Sequence, residues 1–473
     1  MDVAGRRVLV AGAGVTGRSV TKALAGMGAR VTVTDGNAER LAELEGLGAE
    51  LRQGLTEPPE GTSLVVTSPG WRPSSPLLVN AANAGIEVIG DVELAWRVGA
   101  TLENPPSWLA VTGTNGKTTT VGMLESMLRS AGVDALACGN VGFAVLDAVL
   151  GGHEVLAVEL SSFQLHWSST LAPEASVVLN VAEDHIDWHG SLDEYAAAKG
   201  KIHERSGTVV RNVADEWSTL LAAKYAGADA NRVGISLDSP RTGELGVVED
   251  LLVDRAFVAD PATTADELAL VGDVRPGGPH NVANALAAAA LARAHGVPAE
   301  AVAKGLRAFR PGAHRAVEVG EIGGVRYIND SKATNPHAAA SSLLAHPDVV
   351  WIAGGQLKGA SVDELVESVA HRLRGVVLLG ADAEVIAAAV ARHAPDVPVK
   401  RLVPGDDEPM TAAVRAAGAL AGPGSVVLLA PAAASLDMFR DYAARGDAFA
   451  AAVGELRDQP PPSQGRGLLG DGG

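Results

Sequence analysis

The sequence has only one cysteine, Cys138, among its 473 residues. A single cysteine cannot form a disulfide within the chain, which suits a reducing cytoplasm. Long hydrophobic runs are also missing, because glycine and charged residues interrupt every apolar stretch well short of a membrane span. The N-terminus lacks the apolar segment of a signal peptide. We therefore expect a cytoplasmic protein without membrane insertion.

Positively charged residues are also fewer than negatively charged ones. The chain has 38 Lys and Arg against 56 Asp and Glu, and its formal net charge is −18. Such a balance argues against nucleic acid or an anionic membrane surface as a partner. An anionic substrate must then be held by local positive charge, so individual lysines and arginines in loops become informative. The length and the 47% hydrophobic content predict two or three globular domains.

The most informative stretch reads Gly-Thr-Asn-Gly-Lys-Thr-Thr and follows an apolar run at residues 108–111. An amphipathic run, Val121 to Leu128, comes after it. Strand, glycine loop, Lys-Thr and helix is the order that a phosphate-binding loop requires. The predicted ATP-binding residues of this loop are Gly113, Thr114, Asn115, Gly116, Lys117, Thr118 and Thr119.

Within this loop, Lys117 can reach the β- and γ-phosphates of ATP and Thr118 can ligate Mg²⁺. The match to the general Walker A pattern is incomplete, because Val111 stands where its first glycine belongs. The alternative interpretation is a glycine-rich turn from strand to helix with an incidental lysine.

A second glycine pattern lies near the N-terminus, where Gly12, Gly14 and Gly17 follow a buried strand at residues 8–11. A helix over residues 18–27 and a strand over 30–34 follow, and this strand ends at Asp35. The pattern is typical of a dinucleotide fold, which binds a diphosphate and a ribose. A UDP-sugar has both groups as surely as NAD does, and a unit that binds nothing remains the alternative.

Acidic residues and histidines follow two predicted strands of the middle region. Glu159 ends the strand at residues 155–158, where a carboxylate can serve as a Mg²⁺ ligand across from the phosphates. After the strand at residues 176–180 come Glu183, Asp184, His185, Asp187 and His189. This density favours a metal site over a solvated loop, although the spacing does not say which of the five are ligands.

Two asparagines open an alanine-rich helix that runs to about residue 295. Asn281 and Asn284 share a face at its start, so they could bind a base or cap the helix. Further strands at residues 325–328, 349–353, 375–380 and 425–429 indicate a third parallel α/β domain. We predict domains at residues 1–100, 101–312 and 313–457, and a disordered tail at 458–473.

Several motifs together resemble the bacterial Mur ligases over nearly the whole chain. The most specific stretches are residues 112–119, residues 159–165, Asn180 with Asp184 and His185, residues 329–335, residues 434–437, and Arg445 with Gly446. The resemblance implies three α/β domains in series: a Rossmann-like domain, a central domain of the P-loop ATPase type, and a second Rossmann-like domain. It implies an ATP-dependent ligase that joins D-glutamate to UDP-N-acetylmuramoyl-L-alanine through an acyl phosphate, as a step of peptidoglycan synthesis. ATP, two Mg²⁺ ions and a monomeric protein are expected.

The resemblance also implies a role for individual residues. The UDP-substrate pocket would comprise Gly14, Val15, Thr16, Asp35, Ser68, Pro69, Gly70 and Asn140. Further contacts to ATP would come from Asn281, Asn284, Arg315 and Asp330. The metal ligands would be Thr118, Glu159, His185 and Lys199, the last as a carbamate, and the catalytic residues Lys117, His185 and Lys199. The D-glutamate pocket would comprise Lys332, Thr334, Lys358, Ser435 and Tyr442. Tyr442 stands where the family pattern has Phe.

Other functions use fewer of these signals. A nicotinamide dehydrogenase would explain the N-terminal glycines but not Lys117 or the acidic cluster. A nucleotide-binding switch would bind ATP without turnover that depends on an amino acid. Folylpolyglutamate synthetase or another Mur-type ligase would share the central domain but should differ at residues 329–335.

Overall fold

Strands and helices alternate along most of the chain and build three separate sheets, in agreement with the predicted α/β class. The computed structural model describes residues 1–140, 142–402 and 408–458. The chain forms two compact units, one that ends at Pro311 and one that begins at Gly312. The tail predicted to be disordered lies, from residue 459 onward, outside the described residues. Among the described residues, no helix is both long enough and apolar enough to cross a membrane.

The first sheet has five parallel strands in the order β3-β2-β1-β4-β5. Its strands are β1 (Arg7–Ala11), β2 (Arg30–Asp35), β3 (Glu50–Gln53), β4 (Leu64–Thr67) and β5 (Glu87–Gly90), and its helices are α1 (Val15–Gly26), α2 (Ala38–Ala42), α3 (Pro76–Asn83) and α4 (Asp91–Gly99). The first helix begins three residues before the predicted start at Arg18. The edge strand β3 was not predicted.

The second sheet has nine strands in the order β14-β13-β12-β11-β10-β9-β6-β8-β7. Its strands are β6 (Ser107–Thr112), β7 (Ala135–Gly139), β8 (Val155–Glu159), β9 (Ala175–Val178), β10 (Thr208–Asn212), β11 (Asn231–Ile235), β12 (Glu244–Val248), β13 (Leu251–Asp254) and β14 (Asp266–Leu270). The helices are α5 (Lys117–Ser130), α6 (Val145–Leu150), α7 (Ser162–His166), α8 (Ile186–His189), α9 (Leu192–Gly200), α10 (Glu216–Tyr225), α11 (Pro279–Ala294) and α12 (Ala299–Ala308). Strands β12 to β14 pair antiparallel and form the small β excursion predicted before residue 270.

Helix α5 begins at Lys117 and includes the amphipathic run from Val121 to Leu128. The glycine-rich sequence that begins at Cys138 predicts a polar loop, but Cys138 and Gly139 belong to the edge strand β7. Ser191 caps α9, because its side chain accepts a hydrogen bond from the Glu194 N–H at the start of that helix.

The third sheet forms the unit that begins at Gly312, with the strand order β15-β16-β20-β17-β18-β19. Its strands are β15 (Val317–Ile322), β16 (Val325–Asn329), β17 (Val349–Gly354), β18 (Leu373–Leu379), β19 (Val399–Arg401) and β20 (Val426–Leu429), and its helices are α13 (Pro336–Leu344), α14 (Asp363–Val369), α15 (Ala383–His393), α16 (Pro409–Leu420) and α17 (Tyr442–Asp458). The sheet is not wholly parallel as predicted, because β15 pairs with β16 in a hairpin. The loops at the carboxyl ends of its parallel strands carry the predicted site residues.

Hydrogen bonds to the buried carboxylate of Glu93 connect the first two sheets. Glu93 of α4 accepts from the backbone and hydroxyl groups of Ser169 and Thr170, and from the Arg97 guanidinium. Burial alone would raise the pKa of Glu93, but these hydrogen bonds outweigh it and lower the pKa. The carboxylate is therefore held ionised between the two sheets.

Candidate active site

The phosphate loop joins β6 to α5, as the sequence predicts. Gly116 precedes the first helical residue with φ of +85°, a conformation that favours glycine. A Cβ at Gly116 would also lie 2.4 Å from the Asn284 side-chain oxygen, so a larger residue would displace that side chain. The N-terminus of the 14-residue helix α5 opens at this loop and favours a bound anion.

Two lysines converge on one carbonyl group of the loop. The Nζ of Lys117 donates to the carbonyl oxygens of Gly113 and Thr114 at 2.8 and 2.9 Å. The Nζ of Lys199, from the last turn of α9, donates to the same Gly113 oxygen at 2.9 Å. Lys117 and Lys199 are 82 residues apart in sequence, yet both amines bond to the Gly113 carbonyl of the loop.

Lys199 is almost completely buried and lies against an aromatic ring. It is 1% exposed, and its Nζ lies 4.4 Å from the centre of the Tyr195 ring one helical turn earlier. Burial, and after it the Lys117 charge, lower the pKa of the Lys199 amine well below its usual value. The Tyr195 hydroxyl in turn lies 3.2 Å from the Thr114 hydroxyl of the phosphate loop. The structure therefore places an amine with a depressed pKa at the edge of the loop.

Thr118 and Glu159 form an oxygen-rich pair across the strand ends. The Thr118 hydroxyl donates to Glu159 Oε2 at 2.6 Å, and the Asn140 amide donates to Oε1 at 3.0 Å. Glu159 is 2% exposed. The hydroxyl and carboxylate oxygens are hard ligands that fit Mg²⁺, which commonly takes one or two protein oxygens and completes its shell with water and phosphate.

The histidines and acids after β9 do not form one compact cluster. In the part of the chain that the structure describes, no three His, Cys, Asp or Glu side chains are grouped so as to hold a metal ion. Asp187 pairs with Arg72 at 2.8 Å, and the His189 Nε2 lies 3.0 Å from the Ser162 hydroxyl. His185 lies with its Nε2 3.5 Å from Asp184 and with its ring edge against Phe163. Asp184 and His185 thus stay together, Asp187 pairs with Arg72, and His189 stacks on the same Phe163 ring that His185 contacts.

The two asparagines at the start of α11 do not cap the helix. Gly278 is the N-cap residue, and no side chain makes a capping hydrogen bond. Asn284 Nδ2 donates to Asn281 Oδ1 at 3.2 Å, and both residues are buried. The structure thus removes the capping alternative and places Asn284 directly against Gly116 of the phosphate loop.

Gly12, Gly14 and Gly17 play different parts in the turn that would bind a diphosphate. A Cβ at Gly17 would collide with the Gly12 carbonyl at 1.9 Å, and one at Gly12 would lie 2.5 Å from the Ser68 hydroxyl. A Cβ at Gly14 would meet nothing within 4 Å. The first and third glycines therefore close the turn, and the second leaves its backbone open to a ligand, as a dinucleotide fold requires.

Asp35 holds the glycine turn from the neighbouring strand. Its Oδ2 accepts from the Ala13 N–H at 2.8 Å and its Oδ1 from the Asn37 N–H at 2.9 Å. The turn after β4 lies beside it: the Ser68 N–H donates to Ala11, and the Ser68 hydroxyl is buried without a hydrogen-bond partner. Val15 is 77% exposed at the start of α1. The predicted UDP-pocket residues of the first sheet therefore share one edge of that sheet.

In the second unit, the predicted ATP-contacting acid is partly buried. Asp330 follows β16 and accepts from the Ala316 N–H at 3.3 Å. Burial raises its pKa to about 6, against the opposing effects of hydrogen bonds and of the Arg315 charge. Arg315 therefore lies close enough to act on Asp330, as expected if both serve one ligand.

The predicted D-glutamate residues lie on loops that follow β16, β17 and β20. The Nζ of Lys332 is 3.9 Å from the centre of the Tyr442 ring. Thr334 bonds through its N–H to the Lys332 carbonyl, and Lys358 adopts φ of +54°. Ser435 is buried, and its carbonyl begins the turn toward Phe439. The Lys332 contact uses the ring face of Tyr442, which the expected Phe would present equally well.

Arg445 ties these loops together, a role that the sequence motif did not reveal. This buried guanidinium donates to both Ser331 oxygens and to the carbonyls of Ala433 and Gly354. Burial lowers its pKa to about 10, well above neutral pH. The arginine thus brings positive charge and four hydrogen bonds to the place where the three loops meet.

A parallel α/β sheet with a phosphate loop and a hydroxyl–carboxylate pair defines a nucleoside-triphosphate-using enzyme. Three family descriptions match the chain in series: "Mur ligase MurD-like, N-terminal domain" at residues 6–90, "Mur ligase middle domain" at 111–292, and "Mur ligase, glutamate ligase domain" at 314–433. The chain belongs to the Mur ligase family. It is therefore a ligase that uses ATP, and the predicted series of three α/β domains is confirmed.

Similar proteins match over nearly the full length. A protein of Thermobifida fusca named UDP-N-acetylmuramoylalanine--D-glutamate ligase is 57% identical over 96% of this chain and 100% of its own. A Streptomyces coelicolor protein of the same name is 55% identical over 96% and 99%. The names of these relatives support the particular reaction considered below.

Solved structures of Mur ligases share the fold at low identity. UDP-N-acetylmuramate-alanine ligase from Thermotoga maritima superimposes with a TM-score of 0.57 at 19% identity, over 95% of this chain and 99% of that one. MurF from Acinetobacter baumannii gives a TM-score of 0.59 at 17% identity, over 91% of each chain. At this identity the likeness establishes the arrangement of strands and helices and nothing finer.

Proposed function

We propose that this chain joins D-glutamate to the alanine carboxylate of UDP-N-acetylmuramoyl-L-alanine at the expense of ATP. The structural observation that carries the proposal is the convergence of Lys117, Lys199 and the Thr118–Glu159 pair on one phosphate loop. Relatives that are 49–57% identical over nearly the whole chain bear the name of that reaction. The reaction belongs to the building of peptidoglycan, and we assign it to a monomer in the cytoplasm.

The first step is transfer of the γ-phosphoryl group. An oxygen of the alanine carboxylate attacks the γ-phosphorus, the bond to the bridging oxygen breaks, and ADP leaves. Lys117 contributes positive charge that offsets the charge spread over the transferring group. The α5 N-terminus orients the phosphates through its backbone N–H groups. We assign Asn281 and Asn284 to the adenine, and Arg315 and Asp330 to further contacts with ATP.

The second step forms the amide. The neutral amine of D-glutamate attacks the carbonyl carbon of the acyl phosphate, the bond from that carbon to the phosphate oxygen breaks, and inorganic phosphate leaves as the nitrogen releases a proton. Lys332 and Lys358 serve as point charges for the two carboxylates of D-glutamate. Thr334, Ser435 and Tyr442 complete this pocket, and Arg445 fixes the loops that carry it.

We also assign two Mg²⁺ ions to this site. Thr118 and Glu159 would hold one ion, and His185 with a carbamate on Lys199 would hold the other. The ions would supply charge neutralisation for the phosphates. An unmodified ammonium at Lys199 would repel a cation, whereas a neutral amine can add CO₂ and become an anionic oxygen ligand. The burial of Lys199 and its lowered pKa favour that neutral amine.

The domain roles follow the positions of these groups. Residues 1–100 bind the UDP portion at the open backbone of Gly14, beside Asp35 and the turn of Ser68, Pro69 and Gly70. Residues 101–312 bind ATP, and Asn140 contacts the muramoyl portion. Residues 313–457 bind D-glutamate.

Phosphate release tests this function. Wild-type protein is supplied with ATP, Mg²⁺ and UDP-N-acetylmuramoyl-L-alanine, and each of a panel of D- and L-amino acids is added separately. We expect phosphate release that depends on both the UDP-substrate and D-glutamate. Equal release with L-glutamate, L-alanine or a diamino acid in place of D-glutamate would assign the chain to another ligase of the family.

A further inference from the structure

Asn180 lies just beyond β9 and makes three hydrogen bonds to the tip of the phosphate loop. Its Oδ1 accepts from the Asn115 N–H at 2.9 Å, and its Nδ2 donates to the Asn115 carbonyl at 3.2 Å. Its own carbonyl accepts from the Thr114 N–H at 2.9 Å. The Asn180 side chain is not among the residues that the proposed reaction uses to bind substrate or metal.

The pairing of Asn180 with Asn115 depends on both halves of the carboxamide. One side-chain group meets both the donor and the acceptor of a single backbone residue, so it fixes the orientation of that peptide as well as its position. Aspartate would keep the acceptor and lose the donor, and alanine would lose both. The loop tip is therefore held by the chemistry of an amide rather than by packing alone.

The residues around Asn180 follow the loop closely. The Leu179 N–H donates to the Thr112 carbonyl at 2.9 Å, and the Ala182 N–H donates to the Thr114 hydroxyl at 3.0 Å. A Cβ at Gly113 would lie 3.1 Å from the Leu179 Cβ, so the two segments are in close contact. Residues 179–182 thus form a second layer along residues 112–115, and the same segment continues into Asp184 and His185.

We propose that Asn180 is a positioning residue that holds the phosphate loop in its ATP-binding shape and links it to the segment carrying His185. The Thr114 and Asn115 N–H groups bond to Asn180, so the phosphates are met chiefly by the N–H groups of Gly116, Lys117 and Thr118. This assignment rests on the proposed ATP site but not on the identity of the amino acid that is joined. The shape of the loop is then set before ATP arrives, which lowers the entropic cost of binding.

The test compares Asn180→Ala and Asn180→Asp with the control Asn212→Ala. The Asn212 side chain donates to the Leu179 carbonyl at 3.1 Å, one residue away from Asn180, and accepts from the Ala214 N–H at 3.2 Å. Calorimetry measures the binding of ATP and, separately, of UDP-N-acetylmuramoyl-L-alanine, without D-glutamate. Thermal melting reports folding, and steady-state kinetics report KM for ATP and kcat.

We expect Asn180→Ala to weaken ATP binding about tenfold, as for the loss of one or two net hydrogen bonds. Binding of the UDP-substrate should stay within about twofold, and the control should bind ATP as wild type does. Asn180→Asp should be impaired at least as much, because it lacks the donor and adds negative charge beside phosphate. ATP binding by both variants at the wild-type level would overturn the proposal, as would equal losses for ATP and the UDP-substrate. Failure of the wild-type protein to bind ATP would instead refute the proposed function.

Discussion

The Thr118 hydroxyl donates to the Glu159 carboxylate at 2.6 Å, which joins the first turn of α5 to the end of β8. The two residues are 41 positions apart in sequence, Thr118 on a helix and Glu159 at the end of a strand. Thr118 follows the phosphate loop directly, at the helix N-terminus that favours a bound anion. This relationship makes Glu159 the residue on which the phosphoryl-transfer half of the account can be tested most simply.

Replacing Glu159 by Gln should lower kcat by about a hundredfold or more, because an amide is a much poorer ligand for Mg²⁺ than a carboxylate. The matched control is Glu154→Gln, which changes a glutamate just before the same strand, where it accepts from the Asp134 N–H. Phosphate release measured across a range of Mg²⁺ concentrations checks the prediction. If both variants kept wild-type rates at every Mg²⁺ concentration, Glu159 would not be a ligand.

Lys117→Met should abolish measurable phosphate release while leaving UDP-substrate binding intact. The ammonium lies against the Gly113 and Thr114 carbonyls, whereas the UDP pocket is built on the first sheet. Loss of one positioned charge at a phosphoryl-transfer site costs about a hundredfold to a thousandfold in rate. Calorimetry with the UDP-substrate supplies the second measurement. Loss of UDP-substrate binding in this variant would argue against separate sites.

Lys199 should carry a carbamate in the active protein. Wild-type protein incubated with ¹³C-labelled bicarbonate should show a carbamate carbon resonance, because burial lowers the pKa of the Lys199 amine and so favours the neutral form that adds CO₂. Lys199→Arg should lack the resonance and the activity. Lys201→Arg is the matched control. Lys201 lies two residues after Lys199, and its amine donates to the His166 carbonyl. A resonance that persists in Lys199→Arg would contradict the assignment.

The hydroxyl of Tyr442 should be dispensable, and its ring should not be. Tyr442→Phe keeps the ring face that lies 3.9 Å from the Lys332 Nζ, so KM for D-glutamate should change less than about twofold. Tyr442→Ala removes a cation–π contact of about 0.5–2 kcal/mol, and KM should rise about twofold to thirtyfold. KM for ATP is measured alongside as the internal reference. A large effect of Tyr442→Phe would show that the hydroxyl itself serves the pocket.

His203 should lower the free energy of unfolding of the first unit in mild acid relative to neutral pH. Its side chain is fully buried, and burial lowers its pKa to about 3. The unfolded chain binds a proton below about pH 6.5 while the folded chain does not, so stability is complete above that pH and falls as the pH drops toward 3. The loss at pH 5 is about 2 kcal/mol.

His203→Gln should reduce this pH dependence, whereas His153→Gln at a half-buried position should retain it. Denaturant unfolding at pH 5 and pH 7 measures the difference for each protein. Identical pH dependence in the wild type and His203→Gln would remove His203 as its source.

The regular parts of the site were predictable because short-range patterns specify them. The buried run before Gly113, the glycines and Lys117 predict strand, loop and helix, and the polar residue after a strand predicts Glu159 at the sheet edge. The exposed edge strand β3 was missed because Glu50–Gln53 has only one apolar residue, and the hairpin strand β15 was missed because Val317–Ile322 contains two glutamates and a glycine.

Long-range hydrogen bonds were beyond the reach of such patterns. Asn180 pairs with Asn115 across 65 positions, and Arg445 bonds to Ser331 across 114. Neither contact leaves a periodic or compositional trace, since a single polar residue in a loop is equally compatible with exposure to solvent. The family motif includes Asn180 and Arg445, but only the folded structure shows which loops they bond to.

The central claim is that ATP phosphorylates the alanine carboxylate before D-glutamate attacks. The direct measurement uses UDP-N-acetylmuramoyl-L-alanine labelled with ¹⁸O in that carboxylate and mass spectrometry of the released phosphate. The account predicts one ¹⁸O atom in each inorganic phosphate formed together with the D-glutamyl product. Unlabelled phosphate accompanying that product would contradict it, because the carboxylate oxygen would then never have been bonded to phosphorus.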